Sequence, residues 1–122
     1  ESYLYFLEGL RRACGRTFTV INKSVFEPME RRNFDVVLAL NIFHHFLKTK
    51  EQHHLLVALL GRLEMQVMYF ESHKPAEGQM RDSFVNYAPE EFVKFIIEHS
   101  CLNTYQFLGA AEDGRYLYML CK

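Results

Sequence analysis

The chain has 122 residues and so holds one domain at most. Hydrophobic residues make up 49% and charged ones 24%, a composition that supports an ordinary core and excludes disorder. The net charge of -1 removes any global electrostatic case for nucleic acid or an anionic membrane, although 14 lysines and arginines leave room for a local basic patch.

In chain order, Ser2 caps an expected first helix from Tyr3 to Cys14, with Gly15 as its stop. Leu4, Leu7, Leu10 and Cys14 lie along one stripe of it. The β-formers from Thr17 to Asn22 read as a short strand, and Pro28 to Asn33 as a polar turn. Phe34 to Leu40 follows, a continuous Val- and Leu-rich run that reads as a strand buried on both faces. Such strands belong mainly to parallel α/β sheets, where ligands sit outside the carboxyl ends. Leu40, Asn41, Ile42, Phe43, His44 and His45 stand at that end. No Gly-x-Gly-x-x-Gly loop occurs upstream of it.

Thr49-Lys50-Glu51-Gln52 has the capping-box pattern, and Leu55, Leu56, Leu59, Leu60 and Leu63 give the helix it starts an apolar face. Met65 to Phe70 reads as a second buried strand, and Glu71 to Ala88 as a long polar loop. Pro89 suits the first turn of another helix, whose inner stripe is Phe92, Phe95, Ile96 and His99. Tyr105 to Leu108 and Tyr116 to Cys121 are two strands around the Asp113-Gly114 turn. Residues 116 to 121 are apolar on both faces, which places that strand inside the sheet rather than at its edge.

The order resembles the second part of a class I S-adenosylmethionine-dependent methyltransferase, a family whose last strand is antiparallel and slots between the two before it. Phe34-Asp35-Val36-Val37 with Asn41-Ile42-Phe43-His44-His45-Phe46 resembles the family's fourth strand and its continuation, and Gly109 to Leu120 resembles its closing hairpin. Glu1-Ser2 before an amphipathic helix resembles the end of its second strand, where an acidic residue holds the ribose hydroxyls. The resemblance implies a partial Rossmann-like sheet, mostly parallel with a C-terminal antiparallel hairpin. It also implies S-adenosylmethionine as the cofactor of the complete domain, with Glu1, Asn22, Ser24, Leu40, Asn41 and His45 as its binding residues. The family's first strand and glycine-rich loop would lie before Glu1, so residues 1–122 read as a single, incomplete methyltransferase-like domain, weak or inactive alone. The chain also opens on Glu1 rather than Met, which fits a fragment or a processed product. After the third strand the family often places an acidic residue for the adenine amino group. This chain reads Asn22-Lys23-Ser24, and lysine cannot accept that hydrogen bond while its two neighbours can.

Each candidate has a plainer reading beside the functional one. Glu1 is a ribose ligand or a frayed terminal residue. Asn41 contacts cofactor or substrate, or simply ends a strand. His44 and His45 read as a structural pair near the cleft or as a general base. Adjacent histidines point apart, and with His53 and His54 they would form a zinc site only by an accident of folding, so no metal is expected. Glu71, Ser72 and His73 are an exposed polar loop, or Glu71 and His73 orient the nucleophile of a methyl acceptor. Phe92, Phe95, Tyr116 and Tyr118 read as core before they read as an acceptor pocket.

Two alternatives remain: a non-catalytic, oligomerising interaction module built from the same fold, and another nucleotide-binding α/β protein, against which the antiparallel hairpin argues. The methyl acceptor is not legible. With its neighbour strand missing, Phe34 to Leu40 becomes an apolar edge. It then pairs with a second copy in a homodimer, or Thr17 to Asn22 moves in to cover it, or the chain belongs to a longer protein that supplies the strand. The unpaired Cys14, Cys101 and Cys121 read as free thiols in a reducing cytoplasm, and neither a secretory signal nor a membrane span is apparent.

Overall fold

The computed structural model describes residues 2–15, 18–29 and 33–122. Helix α1 (Ser2–Cys14) ends at Gly15, whose φ of 61° is the left-handed stop that glycine adopts without strain. Of its stripe, Leu7 is half-buried while Leu10 and Cys14 are exposed, as are Tyr5 and Phe6. Strand β1 (Asn33–Leu40) ends at Asn41, held at φ 55°, a region Asn tolerates better than most residues. A 3-10 turn, Phe43–Leu47, follows and leads to α2 (Lys50–Arg62), whose cap is the expected one: Thr49 Oγ1 accepts from Gln52 N at 3.1 Å.

Strand β2 (Glu64–Glu71) returns directly from α2, and the long loop after it contains a short 3-10 turn, Gly78–Met80. Helix α3 (Pro89–His99) starts on Pro89, with the Glu91 carboxylate accepting from Ala88 N at 2.8 Å. Strands β3 (Thr104–Ala110) and β4 (Tyr116–Cys121) form the hairpin.

The sheet order is β1-β2-β4-β3. The terminal strand is thus interior, as its two apolar faces predict. The α/β class holds, and "mostly parallel" is corrected. Among the described residues β1 pairs with β2 in parallel, while β2 with β4 and β3 with β4 are antiparallel, making a four-stranded mixed sheet. The strand expected from Thr17 to Asn22 is a second correction. Residues 18–22 carry no strand pairing, and Thr17 lies outside the described residues. They therefore do not close the open side of β1. Local β propensity over so short a run does not outweigh the absence of a partner.

Burial on both faces of β1 is corrected too. Leu56, Leu59 and Leu60 of α2 and Phe92, Val93, Phe95 and Ile96 of α3 form one core cluster with Ala39, Met68, Phe70, Tyr118 and Leu120 of the sheet. The alternate residues Val36, Leu38 and Leu40 are exposed, and the register sets Val36 beside Val67 and Leu38 beside Tyr69. One face of the sheet is packed by helices. The other is apolar and, at β1, uncovered among the described residues.

Candidate functional site

Two parallel strands end side by side here. Asn41 N donates to Glu71 O at 3.3 Å, which ties the carboxyl end of β1 to that of β2. The left-handed Asn41 turns the chain back over the sheet, and Phe43 packs on Phe70 with ring centroids 6.0 Å apart. That fold-back buries His44, which is 2% exposed. Beyond β2, Ser72 N donates to Tyr116 O at 3.0 Å, extending the tie to the hairpin and leaving His73 1% exposed. The rings of His44 and His73 stack with centroids 5.3 Å apart and planes 23° from parallel. The exposed His45 ring lies 4.0 Å from that of His44.

The β2–α3 loop supplies an amide to each buried ring. Asn86 Nδ2 donates to Pro75 O at 2.9 Å, which fixes the amide so that Oδ1 faces His73 Nε2 at 2.7 Å. His73 Nε2 therefore carries its proton, and Nδ1 is a bare acceptor. Gln79 Nε2 donates to the Glu77 carboxylate and also lies 3.2 Å from His44 Nε2. An amide nitrogen only donates, so His44 Nε2 accepts and Nδ1 carries the hydrogen. Among the described residues, His44 Nδ1, His73 Nδ1 and Ser72 Oγ are buried and meet no hydrogen-bond partner.

Burial, then the neighbouring His45 and His73, lower the pKa of His44 to about 4, with Glu77 opposing. The ring is neutral at physiological pH. Burial also pushes Glu77 up, but hydrogen bonds from Gln79 and Lys74 N and the charge of Arg115 outweigh it and hold the carboxyl below its ordinary range. Arg115 Nη2 lies 2.7 Å from Glu77 Oε1, and Lys74 Nζ donates to Asp113 O at 2.7 Å.

The structure brings together Leu40, Asn41, His44, His45, Glu71, Ser72 and His73 at one end of the sheet. Asn22 and Ser24 lie elsewhere. Ser24 Oγ accepts from Phe26 N at 3.2 Å, and the adjacent Val25 carbonyl is held by Arg62 at 3.0 Å, at the end of α2 that leads into the start of β2. Glu1 lies outside the described residues. His53 belongs to a different cluster, with Nε2 3.1 Å from Tyr87 Oη and its ring beside Phe84 and Phe95, while His54 is exposed. Among the described residues no group of three or more His, Cys, Asp or Glu side chains is placed to hold a metal ion. Gln79, Asn86, Glu77 and Arg115 are not among the residues singled out by sequence. They lie in a loop and beside a turn, and nothing in their spacing signals where those segments close.

No protein-family model matches the chain, and no curated protein matches it. Among solved structures it is similar to a chain in the structure of the Pnkp1/Rnl/Hen1 RNA repair complex, at TM-score 0.60 and 14% identity. That similarity covers 99% of this chain and 30% of the other, so the chain shares the fold of a part of a much longer protein.

Proposed function

We propose that the chain is part of an S-adenosylmethionine-dependent methyltransferase-type domain, weak or inactive by itself. The observation that supports this most is the strand order, with antiparallel β4 inserted between β2 and β3 beside parallel β1, as the family resemblance of the sequence leads one to expect. The position of the polar cluster, at the carboxyl ends of the two parallel strands, is where such sheets carry ligands. Leu40, Asn41 and His45 are exposed there, an apolar, amide and imidazole ledge that fits one edge of a nucleoside-bearing cofactor. Asn22 and Ser24 do not extend that ledge. When bound, the cofactor supplies an electrophilic methyl group; the residues of this chain contact and orient. The similar chain belongs to an RNA repair complex, which is compatible with this reading and specifies no acceptor.

The test is amide NMR of the chain titrated with S-adenosylhomocysteine, against a nicotinamide dinucleotide as competitor. Weak shifts confined to Leu40, Asn41 and His45 are the expected result. A response to the dinucleotide alone would transfer the chain to the other nucleotide-binding class.

A second reading has its own observation. Val36, Leu38 and Leu40 are 52%, 65% and 49% exposed on an edge strand, which favours an interaction module that pairs through β1 with a second copy.

A further inference from the structure

We infer that helix α1 is a docking arm: its exposed apolar stripe seats on the open face of the sheet in a second copy of the chain, and the contact is reciprocal. The inference rests on neither functional reading above, and it concerns the face of the sheet rather than the free edge of β1.

Two apolar surfaces are left over in the same chain. The first is on α1. Among the described residues this helix packs closely on no other helix or strand, and Arg11 Nη1, donating to Phe18 O at 3.3 Å, ties it to the segment that follows. Phe6, Leu10 and Cys14 recur every fourth residue, which lines them up along one side of the helix. All three are exposed, Phe6 by 65%. The second surface is the sheet face away from α2 and α3. The strand registers set Leu38, Tyr69 and Met119 in one row across β1, β2 and β4, and Leu40, Glu71 and Leu117 in another. Leu38 and Leu40 are exposed and the other four are half-buried. A contiguous apolar face of this kind marks a contact surface.

Each surface supplies what the other lacks. Helices α2 and α3 cover one side of the sheet with apolar faces, and α1 offers the same kind of face to the other side. The lengths agree. From Phe6 to Cys14 the stripe runs about 12 Å at the helical rise. From Val36 to Leu40 the face runs about 13 Å at the strand rise. The charges agree too. Both arginines of α1 lie in its last turn, and Arg11 pairs with Glu8, which leaves the exposed Arg12 as the net positive charge of the helix. The two rows of the face carry one carboxylate, Glu71, and no lysine or arginine. The last turn of α1 therefore lies toward the Leu40–Glu71 end of the face, with Phe6 toward Val36.

A second copy is the occupant because the helix of the same chain does not lie on the face: its stripe is exposed, and so are Val36, Leu38 and Leu40. Area sets the symmetry. A helix about 20 Å long and 10 Å across covers about 200 Å² of sheet and loses about as much itself. One contact of about 400 Å² is too small for a specific interface. Two, related by a two-fold axis, reach about 800 Å², the scale of a weak, reversible dimer.

The test is sedimentation of the whole chain over a wide concentration range, with NMR cross-saturation in a mixture of deuterated, 15N-labelled copies and unlabelled ones. The expected result is a reversible dimer, with saturation passing from the unlabelled copy to the amides of Leu38, Tyr69 and Met119. Phe6→Ser, at an exposed position, should raise the dissociation constant by about tenfold or more and remove that transfer, while leaving the denaturant midpoint of the monomer in place. Arg12→Glu and Glu71→Lys should each raise the constant about fivefold, the scale of an exposed ion pair present twice, and the two together should restore it. A monomer at every concentration, a dimer indifferent to Phe6→Ser, or a double charge variant weaker than either single one would each overturn the docking. A dimer that survives Phe6→Ser and is abolished by Leu38→Lys would assign association to the β1 edge alone. Protection of Leu38 and Tyr69 that is independent of concentration and removed by Phe6→Ser would place the helix on its own sheet, and the second copy falls.

Discussion

Arg115, beside the turn of the β3–β4 hairpin, reaches Glu77 in the loop between β2 and α3, with Nη2 2.7 Å from Oε1 and the two side chains only 18% and 12% exposed. The same arginine pairs with Asp113, and Lys74 from the loop bonds the Asp113 carbonyl. Two segments far apart in sequence are thus fastened over the carboxyl ends of β1 and β2. Glu77 in turn receives Gln79, and Gln79 holds His44.

Arg115→Ala should therefore lower stability by about 2 kcal/mol, the scale of losing charge-assisted bonds that are largely shielded from water. The loss is read by urea denaturation, with faster amide exchange at residues 74–80. Arg115→Lys should recover only part of it, because an ammonium cannot bridge Glu77 and Asp113 with a planar fork. Unchanged exchange in the alanine variant would mean that the loop is held by its own turns.

The second expectation concerns acid. His44 titrates near 6.5 when unfolded and at about 4 when folded. A depressed value means the unfolded chain takes the proton first as pH falls. The contribution is intact above pH 6.5 and is lost progressively down to about pH 4. The full shift corresponds to about 3 kcal/mol. His45 and His53 are lowered as well, chiefly by burial, and act in the same direction. His44→Gln keeps an acceptor for Gln79 and should flatten the pH dependence of stability between 6.5 and 4 by the share of His44. An unaltered slope would assign acid sensitivity to the other histidines.

How much of this was legible in the sequence depends on the range of the interaction. Caps and turns are local. Thr49, Pro89, Gly15 and Asp113-Gly114 announce their elements, and each occurs where expected. The interior place of β4 was legible because a strand apolar on both sides has one stable location. The strand over Thr17 to Asn22 was misread because composition reports propensity and not a partner. The burial of His44 was hidden for a related reason: besides the local left-handed turn at Asn41, it follows from the packing of Phe43 on Phe70, residues that the sequence sets far apart. Asn86 and Gln79 matter only because the loop closes over two rings.

The strand reading of β4 can be pressed further, since its two faces are unequal. Tyr118 is 5% exposed and paired to Phe70 on the helix-covered face, while Leu117 is half-buried on the other. Tyr118→Asp should cost several kcal/mol, on the order of 3 or more, because the carboxylate has no partner in the core. Leu117→Asp should cost less than half as much. Equal penalties, measured by denaturant midpoints at constant slope, would show that something covers the second face in solution.

The open side of β1 gives the last expectation. Among the described residues the strand pairs with β2, and its exposed Val36 and Leu38 alternate with Val37 and the core residue Ala39. An antiparallel two-fold pairing centred on Val37 would set Val36 opposite Leu38 and Asp35 opposite Ala39. No like charges meet, and the apolar residues of both copies fall on one face. Such an edge is a template for association unless a charge interrupts it. Leu38→Lys should therefore suppress self-association in sedimentation over a wide concentration range. It should change unfolding of the monomer by no more than about 0.5 kcal/mol, since the side chain is 65% exposed. In the unsubstituted chain, amides of Val36 to Leu38 should become protected from exchange as the dimer forms. A concentration-independent monomer with those amides exchanging freely would remove the pairing, and with it the reading of β1 as a self-assembly surface.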